Sequence, residues 1–327
     1  MSEPVVVCTW GAAGQGLADE VAETLTLAHR LAAARATNVR LVIAGDLPGG
    51  AAAAAGNFGV REIVHLRSAS LAGGDNEILT SALAKYLASE KPACVLLAQT
   101  FDARTVAPRL AARLGAGVVM NCTDLAAEGA AILATVTAFG GDTRAVYRCS
   151  GASSYVFAVS ANALAAEPGT GAAVPVREVA VDLADVKARV RVVERAKATE
   201  GPRLEHAQIV VAGGRGLGVP ENFKLVEELA AVLGGMAAAS RPIVDDGWAK
   251  PSQQVGLTGK ITKPALYIAA GISGASQHMV GCSAAKTLVA INRDAGAAIF
   301  RYARYGIVGD CVELLPELTR AVRAKRG

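Results

Sequence analysis

Gln208-Ile209-Val210-Val211-Ala212-Gly213-Gly214-Arg215-Gly216-Leu217-Gly218 is the stretch on which the fold turns. A short apolar run with β-branched residues reads as a buried strand, and the glycines behind it end that strand in a tight corner. Asn222 to Leu233 then places apolar residues at helical spacing, with Asn222 as an N-cap or first-turn residue. Strand, glycine corner and helix form the unit from which parallel sheets are built. Leu266 to Ala270 and Thr287 to Ile291 read as further strands, and Val312 to Ala324 as a closing helix.

The same rhythm runs upstream. Val5-Val6-Val7, Val39 to Ala44, Ile63 to Leu66 and Ala93 to Ala98 read as buried strands. Leu17 to Arg35, Glu77 to Ser89 and Arg104 to Leu114 read as helices between or after them. Helices then become scarce. Ala130 to Ala138, Thr143 to Cys149, Tyr155 to Ser160, Arg177 to Asp182 and Arg189 to Val193 read as an antiparallel extension. The charged stretch Glu194 to His206, with Gly201-Pro202, reads as a linker. The expected organisation is α/β: two three-layer domains with mainly parallel sheets. The N-terminal domain covers 1–198, the linker 199–206, and a Rossmann-like domain 207–327.

Composition narrows the functional classes. A chain of 327 residues exceeds what one core usually serves, and 52% hydrophobic residues with 19% charged ones exclude a disordered chain. Thirty-three basic and 29 acidic residues are interspersed, for a net charge of +4. The one basic cluster, Arg320, Arg323, Lys325 and Arg326, suits a helix C-terminus. There is no basic stripe and no aromatic platform, so nucleic acid is not an expected partner. Six cysteines without a CxxC pair point to reduced, mostly buried thiols, and four scattered histidines argue against a metal site. The sequence carries no signal-like h-region, Arg-rich transit segment or apolar run of membrane-spanning length. The expectation is a cytoplasmic protein without membrane insertion.

Three glycine-rich corners carry the candidate chemistry. Gly213 to Gly218 brings Arg215, a planar cation suited to phosphate, to a strand end; a plain tight turn reads equally well. Gly271-Ile272-Ser273-Gly274-Ala275-Ser276-Gln277-His278 runs from a strand through small residues into a short helix. It reads either as an ordinary turn or as a site where free N–H groups take a pyrophosphate. Val255-Gly256-Leu257-Thr258-Gly259-Lys260 lies in a long loop, where the Thr258 hydroxyl can meet a ring nitrogen. Ser240-Arg241-Pro242 adds a hydroxyl and a guanidinium at another strand end. Asp245-Asp246 reads as a solvated loop. No nucleophile–base–acid team stands out, which suits a bound redox cofactor that carries the chemistry itself.

These segments, in this order, resemble the α subunit of electron-transfer flavoproteins. The resemblance rests on Val211 to Leu217, Glu221-Asn222-Phe223-Lys224-Leu225, Ala239 to Pro242, Gln254 to Lys260, Pro264 to His278, Ala290-Ile291-Asn292-Arg293-Asp294 and Tyr305 to Asp310. It extends more loosely upstream, to Ala107 to Gly115 and Asn121 to Leu125. It implies one FAD in the second domain and a heterodimer with an electron-transfer flavoprotein β subunit, contacted by the first domain. It also implies an electron carrier rather than a substrate-converting enzyme. Donors would be flavoprotein dehydrogenases such as the acyl-CoA dehydrogenases of fatty acid β-oxidation, and the acceptor a quinone-linked oxidoreductase. By position, Arg215, Ser240 and Arg241 match FAD-contacting residues, and Arg241 puts a cation near the ring. Thr258 matches the residue at flavin N5 and His278 the one near O2. Val255, Gly256, Ser273, Gly274, Ala275, Ser276 and Gln277 match the surrounding walls, and Asn292 and Asp310 the ribose and adenine side. Many relatives carry glutamine where this chain has Leu257. Ala138-Phe139-Gly140-Gly141-Asp142 resembles a stretch of electron-bifurcating or nitrogen-fixation-linked members, which use NADH. A nucleotide-binding module without a redox role is the alternative from another class.

Overall fold

Alternate residues of strand β1 (Val5–Trp10) point to opposite faces, and this sets the layers of the first unit. Val5 and Val7 enter one buried cluster, Val6 and Cys8 another. The computed structural model describes residues 3–10, 16–138, 143–161, 163–188, 190 and 203–326. The chain divides into two compact units: Met1–Thr137 with Arg144–Lys197, and Ala198–Gly327 with Ala138–Thr143.

The first unit continues with α1 (Asp19–Ala34), β2 (Val39–Ala44), α2 (Ala51–Gly56), β3 (Val60–Arg67), α3 (Asn76–Glu90), β4 (Cys94–Ala98) and α4 (Ala103–Leu114). Then come β5 (Gly117–Glu128), β6 (Ala131–Ala138), β7 (Thr143–Cys149), β8 (Tyr155–Val159) and β9 (Val176–Ala180). They form one nine-stranded sheet in the order β7-β6-β5-β8-β4-β1-β2-β3-β9. Leu25 and Leu31 of α1 pack on one face with Val5, Val7 and Leu41. Leu83 and Leu87 of α3 and Leu110 of α4 pack on the other with Val6, Val42 and Val95. Burial on both faces explains why these central strands are unbroken Val, Ile and Leu runs.

The antiparallel extension is smaller than the sequence suggests. β8 inserts parallel between β4 and β5, and β9 pairs parallel with β3 at the opposite edge. β5 and β6 pair antiparallel, and β7 joins beside β6 at the sheet edge. β5 itself escapes sequence reading because its short apolar start, Val118-Val119-Met120, runs into a polar stretch with exposed Asn121, Asp124 and Glu128. The expected strand Arg189 to Val193, most of the linker and Phe139-Gly140-Gly141-Asp142 lie outside the described residues. At the linker's end, Leu204 is buried in a 3-10 turn, Leu204–His206, within the core of the second unit. All six cysteines are free and buried.

The second unit contains β10 (Ile209–Gly213), α5 (Phe223–Leu233), β11 (Met236–Ser240), α6 (Arg241–Asp245), β12 (Gln254–Val255) and β13 (Leu266–Ala270). It ends with α7 (Ser276–Met279), β14 (Thr287–Asn292), β15 (Tyr305–Val308) and α8 (Cys311–Arg326). The strands are parallel in the order β12-β11-β10-β13-β14-β15. Counted from the unit's own first strand this is 3-2-1-4-5-6, the order of dinucleotide-binding sheets. Phe223, Val226 and Leu229 of α5 and Leu315 of α8 cover one face. The other face is covered by α7 and by turns carrying Ile272, Cys282 and Ile299. Asn222 does not cap α5 with its side chain; its amide donates to the Leu217 carbonyl at 2.7 Å and fixes the corner instead. No helix among the described residues is long and apolar enough to cross a membrane.

Candidate functional site

The order of the second sheet reverses between β10 and β13, and a crevice opens there at the carboxyl ends of the strands. The glycines of the first corner let two turns touch, and Gly216 also lines the cleft. A Cβ on Gly216 would lie 2.6 Å from the Gly271 Cα, and Gly216 donates its N–H to the Gly271 carbonyl at 2.9 Å. Gly214 donates to Ala270 at 2.9 Å. The N–H groups of this corner are thus largely spent on the protein.

The second corner is different. Among the described residues, no backbone N–H from Ser273 to Gln277 donates to a protein group. Successive free N–H groups beside a helix start make an anion-binding concavity. The third segment is tied to this one, because Leu257 donates its N–H to the Gln277 carbonyl at 2.7 Å. Gly256 allows that approach at φ +140°.

Together these turns enclose a cleft of about 730 Å³, a size typical of cofactor sites. Of the residues expected from sequence, Arg215, Ser240, Arg241, Val255, Gly256, Leu257, Thr258, Ser273, Ala275, Gln277, His278 and Asn292 line it. Gly274, Ser276 and Asp310 do not. Gly274 packs against the Ile299 backbone, and Ser276 opens α7. Asp310 pairs with Arg293 and accepts the Val312 N–H at 2.9 Å, capping α8. The Arg293 guanidinium holds its carboxyl below the usual carboxylate range. Asn292 spends its amide locally, donating to the Ile272 carbonyl at 2.9 Å and accepting from the Asp294 N–H at 3.0 Å.

The structure adds residues that sequence reading passed over. Gln254 lines the cleft, and its side-chain nitrogen donates to the Thr258 hydroxyl at 2.9 Å. Asp245 and Asp246 are exposed, as the solvated-loop reading expected, and each also lies beside a cleft cation. Asp245 accepts from Arg241 Nε at 3.1 Å, and Asp246 lies 3.5 Å from Arg215 Nε. Each cleft guanidinium is thus steadied by a carboxylate. The helical spacing of Arg241 and Asp245, i and i+4, was the available signal for the first pair.

His278 is 7% exposed, and its Nδ1 is buried with no protein partner among the described residues. Burial pushes its pKa down to about 4, with a small upward pull from the Val255 backbone. It is neutral at physiological pH. The cleft therefore offers free N–H groups and two guanidiniums for a diphosphate. For a planar ring it offers apolar walls from Pro242, Val255, Leu257 and Ile272, with hydroxyl, amide and imidazole groups at the edge. These residues fit a dinucleotide flavin. Among the described residues no cluster suits a metal ion.

Comparison with known proteins agrees. The family model described as the electron transfer flavoprotein domain matches residues 8–184, and the one described as the electron transfer flavoprotein FAD-binding domain matches 203–283. The electron transfer flavoprotein subunit alpha of Thermoanaerobacterium thermosaccharolyticum is 36% identical, over 92% of this chain and 92% of its own. That of Mycobacterium leprae is 40% identical over 76% of this chain and 77% of its own. Protein FixB of Clostridium saccharobutylicum is 39% identical over 80% and 79%. Fold order, cleft chemistry and relatives converge: this chain belongs to the electron-transfer flavoprotein family as an α subunit, and it binds FAD.

Proposed function

We propose that this chain is the FAD-carrying half of a heterodimer with an electron-transfer flavoprotein β subunit. It accepts electrons from flavoprotein dehydrogenases, acyl-CoA dehydrogenases among them, and delivers them to a quinone-linked oxidoreductase. What carries the reading is the run of free N–H groups from Ser273 to Gln277 at the switch point, in one cleft with Arg215, Arg241 and Thr258. FAD, when bound, supplies the reversible electron uptake; the protein supplies position and electrostatics.

The Ser273–Gln277 backbone and Arg215 would hold the diphosphate, with Asp246 3.5 Å from Arg215 Nε. Arg241, in the cleft wall, would set a fixed positive charge against a bound ring and so favour electron uptake. Thr258 accepts a hydrogen bond from Gln254, which frees its own hydroxyl proton to point at a ring nitrogen. His278 stays neutral in the wall of the cleft. Leu257, 44% exposed, leaves one side of the ring without an amide and open to a partner surface. Gly274 and Ser276 shape the diphosphate turn from behind, and Asp310 with Asn292 fixes the strand ends on the adenine side. The buried thiols support a reducing compartment, the cytoplasm.

The test is the spectrum of the purified complex. One FAD per heterodimer, reduced by an acyl-CoA dehydrogenase and its substrate but not by NADH, is expected. Two FAD per heterodimer with reduction by NADH would overturn the assignment of donors and favour a bifurcating assembly. A colourless complex holding only AMP would overturn the redox role.

A further inference from the structure

Thr258 reaches the cleft from a loop that closes on itself. Lys260 donates its N–H to the Gln254 carbonyl at 2.7 Å, and its own carbonyl accepts the Gly256 N–H at 3.1 Å. Gly259 lets the two ends meet, since a Cβ there would lie 2.4 Å from the Gln254 carbonyl oxygen. The loop is held to the rest of the unit on both sides of Thr258. Before it, Leu257 donates its N–H to the Gln277 carbonyl. After it, the Lys260 ammonium donates to Glu205 Oε1 at 2.7 Å.

Glu205 stands outside the cleft, in the 3-10 turn at the linker's end. Its neighbour Leu204 is buried in one cluster with Val255, at the root of the loop. The core thus fixes the turn, and the turn offers the loop a carboxylate. Burial draws that carboxyl up, but hydrogen bonds from Lys260 and the backbone prevail and hold it below the usual carboxylate range. Farther along, the Thr262 hydroxyl and N–H both donate to the Gly281 carbonyl, at 2.9 and 2.8 Å. Loss of the ion pair therefore loosens the stretch between Leu257 and Thr262 without freeing the chain that follows.

We propose that Lys260 and Glu205 are positioning residues for the cofactor: their ion pair holds the Thr258 loop closed on bound FAD and slows its release, which makes the end of the linker part of the site. This rests on the placement of the Thr258 hydroxyl against a ring nitrogen proposed above. Neither residue lines the cleft, so the pair acts through the loop. The two side chains are 41% and 29% exposed, and a pair so open to solvent adds little to the stability of the fold. The aim of one hydroxyl is more sensitive, because a directional bond weakens steeply as its angle opens.

The experiment uses this chain in complex with its copurifying partner subunit and follows flavin fluorescence as FAD leaves. Glu205→Gln and Lys260→Gln should each speed release about threefold at low ionic strength, the scale of a half-exposed ion pair. The double variant should be no faster than either single one, since both remove the same contact. Salt at about 1 M, where charges are screened within about 3 Å, should bring wild-type and variant rates together. Thr258→Val tests the route: it should speed release by itself, and Glu205→Gln added to it should change little more. Wild-type rates in both single variants overturn the proposal. So do additive effects in the double variant, a gap that salt does not close, or a full Glu205→Gln effect in the Thr258→Val background. If Thr258→Val leaves release unchanged, the placement of its hydroxyl fails and the proposal falls with it. That outcome is distinct from the others, in which the placement survives.

Discussion

Gly256 and Gln277 show how closely single positions are set around the cleft. A Cβ on Gly256 would lie 2.8 Å from the Gln277 carbonyl oxygen, at a φ of +140° that L side chains rarely adopt. Gly256→Ala should therefore displace the loop that carries Thr258. Strain of this kind costs about 1–3 kcal/mol, and flavin content per chain should fall with it. Absorbance of the purified complex and a urea melt read the two effects; full flavin content at wild-type stability would contradict them. At this scale much of the site was legible. Thr258, Ser273, Gln277 and His278 stand in small-residue turns behind apolar strands, where polar groups have few structural duties. Asp246 was not legible because its partner Arg215 is remote in sequence.

Among the elements, α3 is the clearest case of local chemistry setting a boundary. Asp75 accepts the Glu77 N–H at 2.6 Å and the Ile78 N–H at 3.4 Å. It satisfies donors that no helical carbonyl reaches. Asp75→Ala should cost about 1 kcal/mol, or roughly 2–4 °C in melting temperature for a unit of this size. Flavin content should stay unchanged, since α3 belongs to the first unit. Calorimetry with a flavin assay checks both halves of the expectation. Strands were harder to place than helices. β8 and β9 are as apolar or as alternating as antiparallel strands, and nothing within them names the neighbour they join. β11, Met236–Ser240, is nearly all alanine and lacks the β-branched residues that signal a strand. Its burial between β10 and β12 makes it one.

Across the whole molecule, the cofactor bears on one of the two units. FAD binds within the second unit, one face of which is covered by turns and the short α7 instead of long helices. A cofactor that binds the folded state alone adds about 2.7 kcal/mol at a hundredfold excess over its dissociation constant. Stripping FAD should therefore lower the melting transition of the second unit and leave that of the first in place. Differential scanning calorimetry of the complex, before and after removal of the flavin, reads this directly. A shift of both transitions together would contradict it.

The rhythm of apolar runs, the glycine corners and the helix periodicities are local, so they can be read directly along the chain. They announce two α/β units, a dinucleotide-type second sheet and strand-end turns ready for an anion. Pairing partners are not local. The insertion of β8 between β4 and β5, the mutual contact of Gly216 and Gly271, and the carboxylate behind Arg215 depend on groups brought together only when the sheets close. Hydrogen bonds and burial act over a few ångströms in space, whatever the separation along the chain, and that distance law reserves the shape of the cleft to the folded protein.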